Sequence, residues 1–264
     1  MPFVAFDLYG TLCTFEKIID KIEETFSQQA FEMTPRLARQ FFTFWYNIAL
    51  RDYIATSQAG RYCPLLKVLK VTLTRALLCF SDDYEITATD VQIEAIMTAF
   101  DTIEPDTEAL KALDMLVLEK WDIWVLSVGG TVDTTALLCR TGLDAYTSSN
   151  NMLCCDDLRI SKPHPKVYSE LMRMAVHKTQ RIENFYMVGS YAFDLAGAKN
   201  VSFRTVFLNT SEKVYSAKMY DTGGPDITGA SLVECVTKMI QFEKTGHFIQ
   251  PILTRDAAIT IENV

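Results

Sequence analysis

The chain has 264 residues, about half of them hydrophobic, which is enough for one large or two modest domains and too apolar for a disordered or fibrous class. Lysine and arginine number 25 against 33 aspartates and glutamates, a net charge of −8, and no basic run offsets it, so a nucleic-acid partner is not expected. No signal peptide and no run near the roughly 20 apolar residues of a membrane span are apparent.

The seven cysteines are odd in number and lack paired metal-ligand spacing. They read as reduced thiols of a cytoplasmic protein rather than as a disulfide framework or zinc site. FVAFD (3–7) reads as a buried strand with a carboxylate at its carboxyl end. From about 15 to 100 the pattern is helical. Thr34-Pro35 supplies an N-cap and a first-turn proline, and apolar residues recur through Leu37, Phe41, Phe44, Trp45 and Ile48. Stretches 65–80 and 91–100 continue the pattern. Pro105-Asp106 leads the helix TEALKALDMLVLEK, and WDIWVLS (121–127) reads as a second buried strand.

Strands FYMVGS (185–190) and RTVFLN (204–209) follow, with helices at about 131–141, 165–177, 193–199 and 231–242. This alternation predicts an α/β fold with a doubly wound parallel sheet. The helical stretch after the first strand is too long for a simple crossover and reads as an inserted all-helical domain. The expected division is a core of 1–14 and 101–240, a helical domain of 15–100 and a C-terminal extension of 241–264. In such sheets ligands bind beyond the carboxyl ends of the strands. Asp7, Ser127 and Gly189-Ser190 all fall at such ends.

Four stretches, FDLYGTL (6–12), VLSVGG (125–130), ISKPHPKVY (160–168) and VGSYAFDLAGAKN (188–200), resemble in order the motifs of the haloacid dehalogenase superfamily. The resemblance covers most of residues 3–240 and implies a Rossmann-like core with a helical cap between the first two motifs. It implies that Asp7 is a nucleophile, forming an ester or acyl-phosphate that water opens. Lys162 would keep Asp7 ionised and steady the transition state. Thr11 and Ser127 would orient carboxylate and substrate, and Asp194 would hold Lys162 and position water. Read singly, each has a plainer role: Asp7 a turn residue, Lys162 a loop charge, Ser127 a helix-start hydroxyl, Asp194 a helix cap. Only their order favours chemistry.

Tyr9 divides the superfamily's branches. Its phosphatases carry a second aspartate there as general acid, whereas a phenol with a reference pKa near 10 is poorly suited to that task. They also hold Mg²⁺ through acids of the last motif, and here Ser190 stands where many have an aspartate. FD-x-YGTL, and Tyr168 in KPHPKVY, resemble instead the type II (2-haloacid dehalogenase) branch, in which aspartate displaces halide without metal. Three positions depart from that branch. Tyr46 follows Trp45 where an arginine faces the substrate carboxylate. Val128 precedes Gly129, and Tyr191 follows Ser190, where asparagines are usual.

Leu8, Tyr9, Trp45, Tyr46, Val128, Gly129, Tyr168, Ser190 and Tyr191 are the expected substrate surface. Loss of the arginine clamp removes a charge-assisted bond of about 1.5–3 kcal/mol, so a larger or less charged small molecule is implied. The expectation is a metal-independent hydrolase without cofactor, acting through an aspartyl ester. A Mg²⁺-dependent phosphatase and a non-hydrolytic binding protein stay open, as does a homodimer. His164 reads as structural, Arg51 has no assigned direction, and His177 and His247 have no identified partner.

Overall fold

Strand β1 (Phe3–Asp7) is buried at every position, as a strand covered on both faces must be. The computed structural model describes residues 1–27, 33–80, 87–147, 149–180 and 184–246. After β1 come α1 (Glu16–Phe26), α2 (Pro35–Gln58), α3 (Leu65–Phe80) and α4 (Asp90–Thr98), and then α5 (Ala109–Leu118) leads into β2 (Asp122–Ser127). The rest alternates: α6 (Thr131–Thr141), β3 (Met152–Cys154), α7 (Cys155–Leu158), α8 (Pro165–Thr179), β4 (Phe185–Gly189), α9 (Ala192–Lys199), β5 (Arg204–Leu208), β6 (Ile227–Gly229) and α10 (Leu232–Thr245).

Among the described residues the strands form one six-stranded parallel sheet in the order β3-β2-β1-β4-β5-β6. The direction of winding reverses between β1 and β4, and the crevice at their carboxyl ends is the switch point where such sheets bind ligands. Register brings the motif residues there: Asp7 pairs with Leu126, just before Ser127, and Phe6 pairs with Val188, just before Gly189. Side chains alternate across the sheet. Val4 and Phe6 join a core with Leu113 of α5 and Val236 of α10. Phe3 and Ala5 join a second core with Leu171 of α8 and Leu195 of α9. No helix among the described residues is long and apolar enough to cross a membrane.

Strands β3 and β6 were not anticipated. Each has three residues, too few to show alternation, and they form only because β2 and β5 offer a free edge. Helix α10 continues to Thr245, so the start of the segment 241–264 belongs to it. His247 and the rest of that segment lie outside the described residues.

In α2, Thr34 caps the first turn by accepting from Leu37 N. Its buried set is Ala38, Phe41, Phe42, Trp45, Tyr46, Ala49, Leu50 and Tyr53, rotated from the expected stripe. Leu37, Phe44 and Ile48 pack only at the edge. The rotation follows from position, because α2 packs against α3 on one side and α1 on the other. Trp45 is fully buried, stacks beside Phe41 and donates its indole N–H to Leu69 O of α3 at 3.1 Å. Replacing Trp45 with Ala is expected to cost about 3–5 kcal/mol, measurable as a lowered midpoint in urea unfolding.

Candidate active site

The chain turns immediately after β1. Thr11 N and Cys13 N both donate to Leu8 O, at 3.4 and 2.9 Å, and Gly10 adopts φ +79°. A Cβ at Gly10 would be strained and would meet Phe15 at 2.9 Å, so the turn requires glycine. It returns Thr11 over the strand end, where Oγ1 donates to Asp7 Oδ2 at 2.9 Å. The same oxygen accepts from Ser190 N at 3.1 Å, and Ser190 Oγ donates to Gly10 O at 2.8 Å. The first and fourth motifs are thus joined by hydrogen bonds.

Lys162 reaches the other carboxylate oxygen. Its Nζ donates to Asp7 Oδ1 at 2.6 Å and to Asp194 Oδ2 at 2.7 Å. Tyr168 Oη donates to Asp194 Oδ1 at 2.5 Å, and all four side chains are buried. Asp194 therefore does not cap α9. That helix start is held by Glu212, which accepts from Ala192 N at 2.7 Å. His164 is structural: its Nδ1 accepts from Lys166 N and caps α8. From α2, Ser57 Oγ accepts from Ser161 N at 2.9 Å, tying the lysine loop to the helical layer.

Ser127 Oγ accepts from Gly129 N at 3.0 Å and from Thr134 Oγ1 at 2.8 Å, which fixes the side chain and leaves its own proton to donate. Leu8 is fully buried below the turn, and Tyr168 lies beneath Asp194. Trp45 points into the helical core and lines neither cavity described next. Arg51 faces solvent, paired with Asp52.

Tyr46 stands between two cavities of very different size. On one side an apolar cranny of about 10 Å³ is lined by Tyr9, Leu65, Leu69, Phe100, Val128 and Gly129. On the other a cavity of about 520 Å³ is lined by Thr11, Phe15, Phe42, Tyr46 and Tyr191 among others. Asp7 lines neither, and it sits behind Thr11. Tyr46 packs on Phe15 at 4.8 Å and near Tyr191 at 6.1 Å between ring centres.

A model of the haloacid dehalogenase-like hydrolases matches residues 1–202. The chain belongs to this hydrolase family. It is 23% identical over 220 residues to (S)-2-haloacid dehalogenase 2 of Pseudomonas sp. strain CBS-3, spanning 80% of this chain and 85% of the relative. To (S)-2-haloacid dehalogenase of Pseudomonas sp. strain YL it is 25% identical over 219 residues, 80% and 84% of the two chains. The fold matches that of L-2-haloacid dehalogenase from Xanthobacter autotrophicus with chloropropionic acid covalently bound, at TM-score 0.71 and 19% identity over 94% and 100% of the chains.

In this hydrolase the buried charges control one another. Burial alone would lower the Lys162 pKa, but the Asp194 and Asp7 carboxylates outweigh it and hold the ammonium above its ordinary value. Burial also pushes the Asp7 carboxyl up, and the Asp194 charge adds to that rise. Lys162 and Thr11 pull against both. Burial raises the phenols of Tyr9, Tyr46 and Tyr168 as well, making each a neutral hydrogen-bond donor and Tyr9 a still weaker acid than a free phenol.

The donor set does not fit Mg²⁺. Among the described residues no three His, Cys, Asp or Glu side chains gather as for a metal ion. Asp7 and Asp194 each turn an oxygen to the Lys162 ammonium, and Ser190 uses its hydroxyl on Gly10 O. A hard divalent cation needs several such oxygens free.

Two functional positions escaped the sequence reading. Glu212 carries no motif signal. Gly197 lies within the fourth motif, and a Cβ there would fall 2.7 Å from both Pro163 and Tyr168. Glycine therefore lets α9, with Asp194, approach the loop that carries Lys162. Gly197→Ala is expected to destabilise the fold by about 1–3 kcal/mol, read as a lowered thermal midpoint. The ¹³Cγ resonance of Asp7 is expected to titrate above the ordinary aspartate value of 3.8. Asp194→Asn, which removes a charge that raises it, is expected to move that titration downward.

Proposed function

We propose that the protein is a metal-independent hydrolase in which Asp7 attacks a halogen-bearing carbon. The observation that carries this reading is the Asp7–Lys162–Asp194 cluster at the switch point, together with a tyrosine rather than an acid two residues after Asp7. Lys162 and Thr11 each hold one oxygen of the Asp7 carboxylate, fixing its plane and favouring its ionised form against the rise that burial causes. An Asp7 oxygen forms a bond to carbon as the carbon–halogen bond breaks, and halide leaves with the electron pair. No proton is required, which suits a site whose second position is a high-pKa phenol. Water then attacks the ester carbonyl at Asp7 Cγ. The alcohol departs, the carboxylate is restored, and one proton is released, guided by Asp194.

The names of the Pseudomonas relatives and the covalently bound chloropropionic acid of the Xanthobacter autotrophicus enzyme support this chemistry. Ser127 orients the ester, and α1–α4 act as the cap that closes over the pocket. Tyr46, Val128 and Tyr191 make that pocket more aromatic and less polar than a clamp for a small acid. A small organohalide is the partner, and a cytoplasmic setting suits the seven free cysteines.

The test is halide release from (S)-2-chloropropionate and from its amide, with EDTA present. Wild type is expected to release halide from at least one of the two, and a mass adduct is expected on the peptide bearing Asp7. Asp7→Asn is expected to lose at least about 10³-fold in kcat/KM. Phosphate-ester turnover that requires Mg²⁺, with no adduct, would overturn the reading.

A further inference from the structure

The two cavities beside Tyr46 decide from which side a substrate reaches Asp7. The cranny against Tyr9 and Val128, about 10 Å³, is no larger than the roughly 10–15 Å³ needed to seat one water. The opposite cavity, about 520 Å³, lies within the roughly 300–1,000 Å³ typical of sites for drug-sized ligands. It reaches Thr11, whose hydroxyl is 2.9 Å from Asp7. Thr11 therefore links a spacious chamber to the carboxylate, with Tyr46 and Tyr191 in the same lining.

The lining is graded. Phe15, Phe42 and Tyr46 form a buried aromatic wall, with half-buried Tyr191 beside them. Thr43, Asn47 and Ser211 form an exposed rim of neutral donors and acceptors. The aromatic wall itself carries no cation. Arg39 lines the cavity but is held bidentately by Glu16, at 2.7 and 2.5 Å. Lys213 shares the rim with Asp106 and Glu212. Beneath the wall one ammonium faces two carboxylates, leaving the cluster one negative charge in excess. An anionic substrate would be repelled by that charge, and the aromatic wall offers it no cation.

From this geometry we infer that the cavity between α1, α2 and the segment 210–213 is the substrate subsite, and that it takes neutral 2-haloacyl compounds, amides or esters bearing an aromatic substituent, rather than free 2-haloacids. This rests on the reading of Asp7 as the nucleophile. The reacting carbon lies against Asp7, and the neutral carbonyl accepts from the phenols of Tyr46 and Tyr191. The aromatic substituent stacks on Phe15 and Phe42, with its polar end at Thr43, Asn47 and Ser211.

The test separates binding from chemistry on the full-length protein. Binding of N-phenylpropanamide, which carries no halogen, and of propionate is measured by calorimetry for wild type, Thr43→Trp and Ser211→Phe. The two substitutions fill the cavity from different elements, α2 and the segment after β5, so either one that folds suffices. The anilide is expected to bind at least about tenfold more tightly than propionate, and each folded variant to weaken it at least about tenfold. Propionate binding as tightly as the anilide, or an anilide affinity that neither substitution changes, would overturn the subsite. Halide release from 2-chloropropionanilide reports separately on Asp7. Release that vanishes in Asp7→Asn supports the substrate class. Tight anilide binding with no release overturns the nucleophilic reading and the assignment as substrate, and leaves a neutral-ligand site.

Discussion

A single buried ammonium, Lys162, placed between two buried carboxylates, organises the functional end of this molecule. Its bonds of 2.6 and 2.7 Å join residues from the first strand, the loop before α8 and the first turn of α9. None of these charges could be buried alone, because removing one partner from such a cluster ordinarily costs about 3–5 kcal/mol. The elements must therefore meet within hydrogen-bond reach. The tightness of that meeting explains features that carry no charge. Gly197 admits the lysine loop against α9, Tyr168 satisfies the outer oxygen of Asp194, and Glu212 secures the start of the helix that holds it.

The same cluster sets the terms for what lies above it. One ammonium against two carboxylates leaves an excess negative charge in a dry environment, where charge acts strongly. Around it the chain places phenols and apolar groups in place of cations. Burial keeps those phenols protonated, so Tyr9, Tyr46 and Tyr191 present O–H groups and aromatic faces. Tyr46 matters most by position. It closes the space on the Tyr9 and Val128 side almost completely and forms the wall of the large cavity on the other. One side chain on α2 thus links the packing of the helical layer to the shape of the pocket.

Much of this was legible in the residues. Buried strands ending in Asp, Ser and Gly-Ser, with helices of matching length between them, specified a doubly wound parallel sheet because apolar period and length are local properties. Thr34-Pro35 marked a helix start because capping needs only neighbours along the chain. The order of four short motifs placed Asp7, Ser127, Lys162 and Asp194 together, and three of the four share direct bonds. Ser127 differs: its hydroxyl oxygen is taken up within its own strand-to-helix turn.

What the residues could not disclose depends on contacts between distant segments. Strands β3 and β6 exist only where a neighbouring edge accepts them. The buried face of α2 is rotated because α1 and α3 press on it from two sides, which turns Trp45 into the core and Tyr46 into the pocket wall. Their adjacency in sequence says nothing of this. Composition and motif order determined the fold class and the charged residues of the site, since these follow from local pattern and from obligatory pairing of buried charge. Tertiary packing alone decided where the empty space lies, because a cavity is the volume left when elements far apart in sequence fail to fill the gap between them.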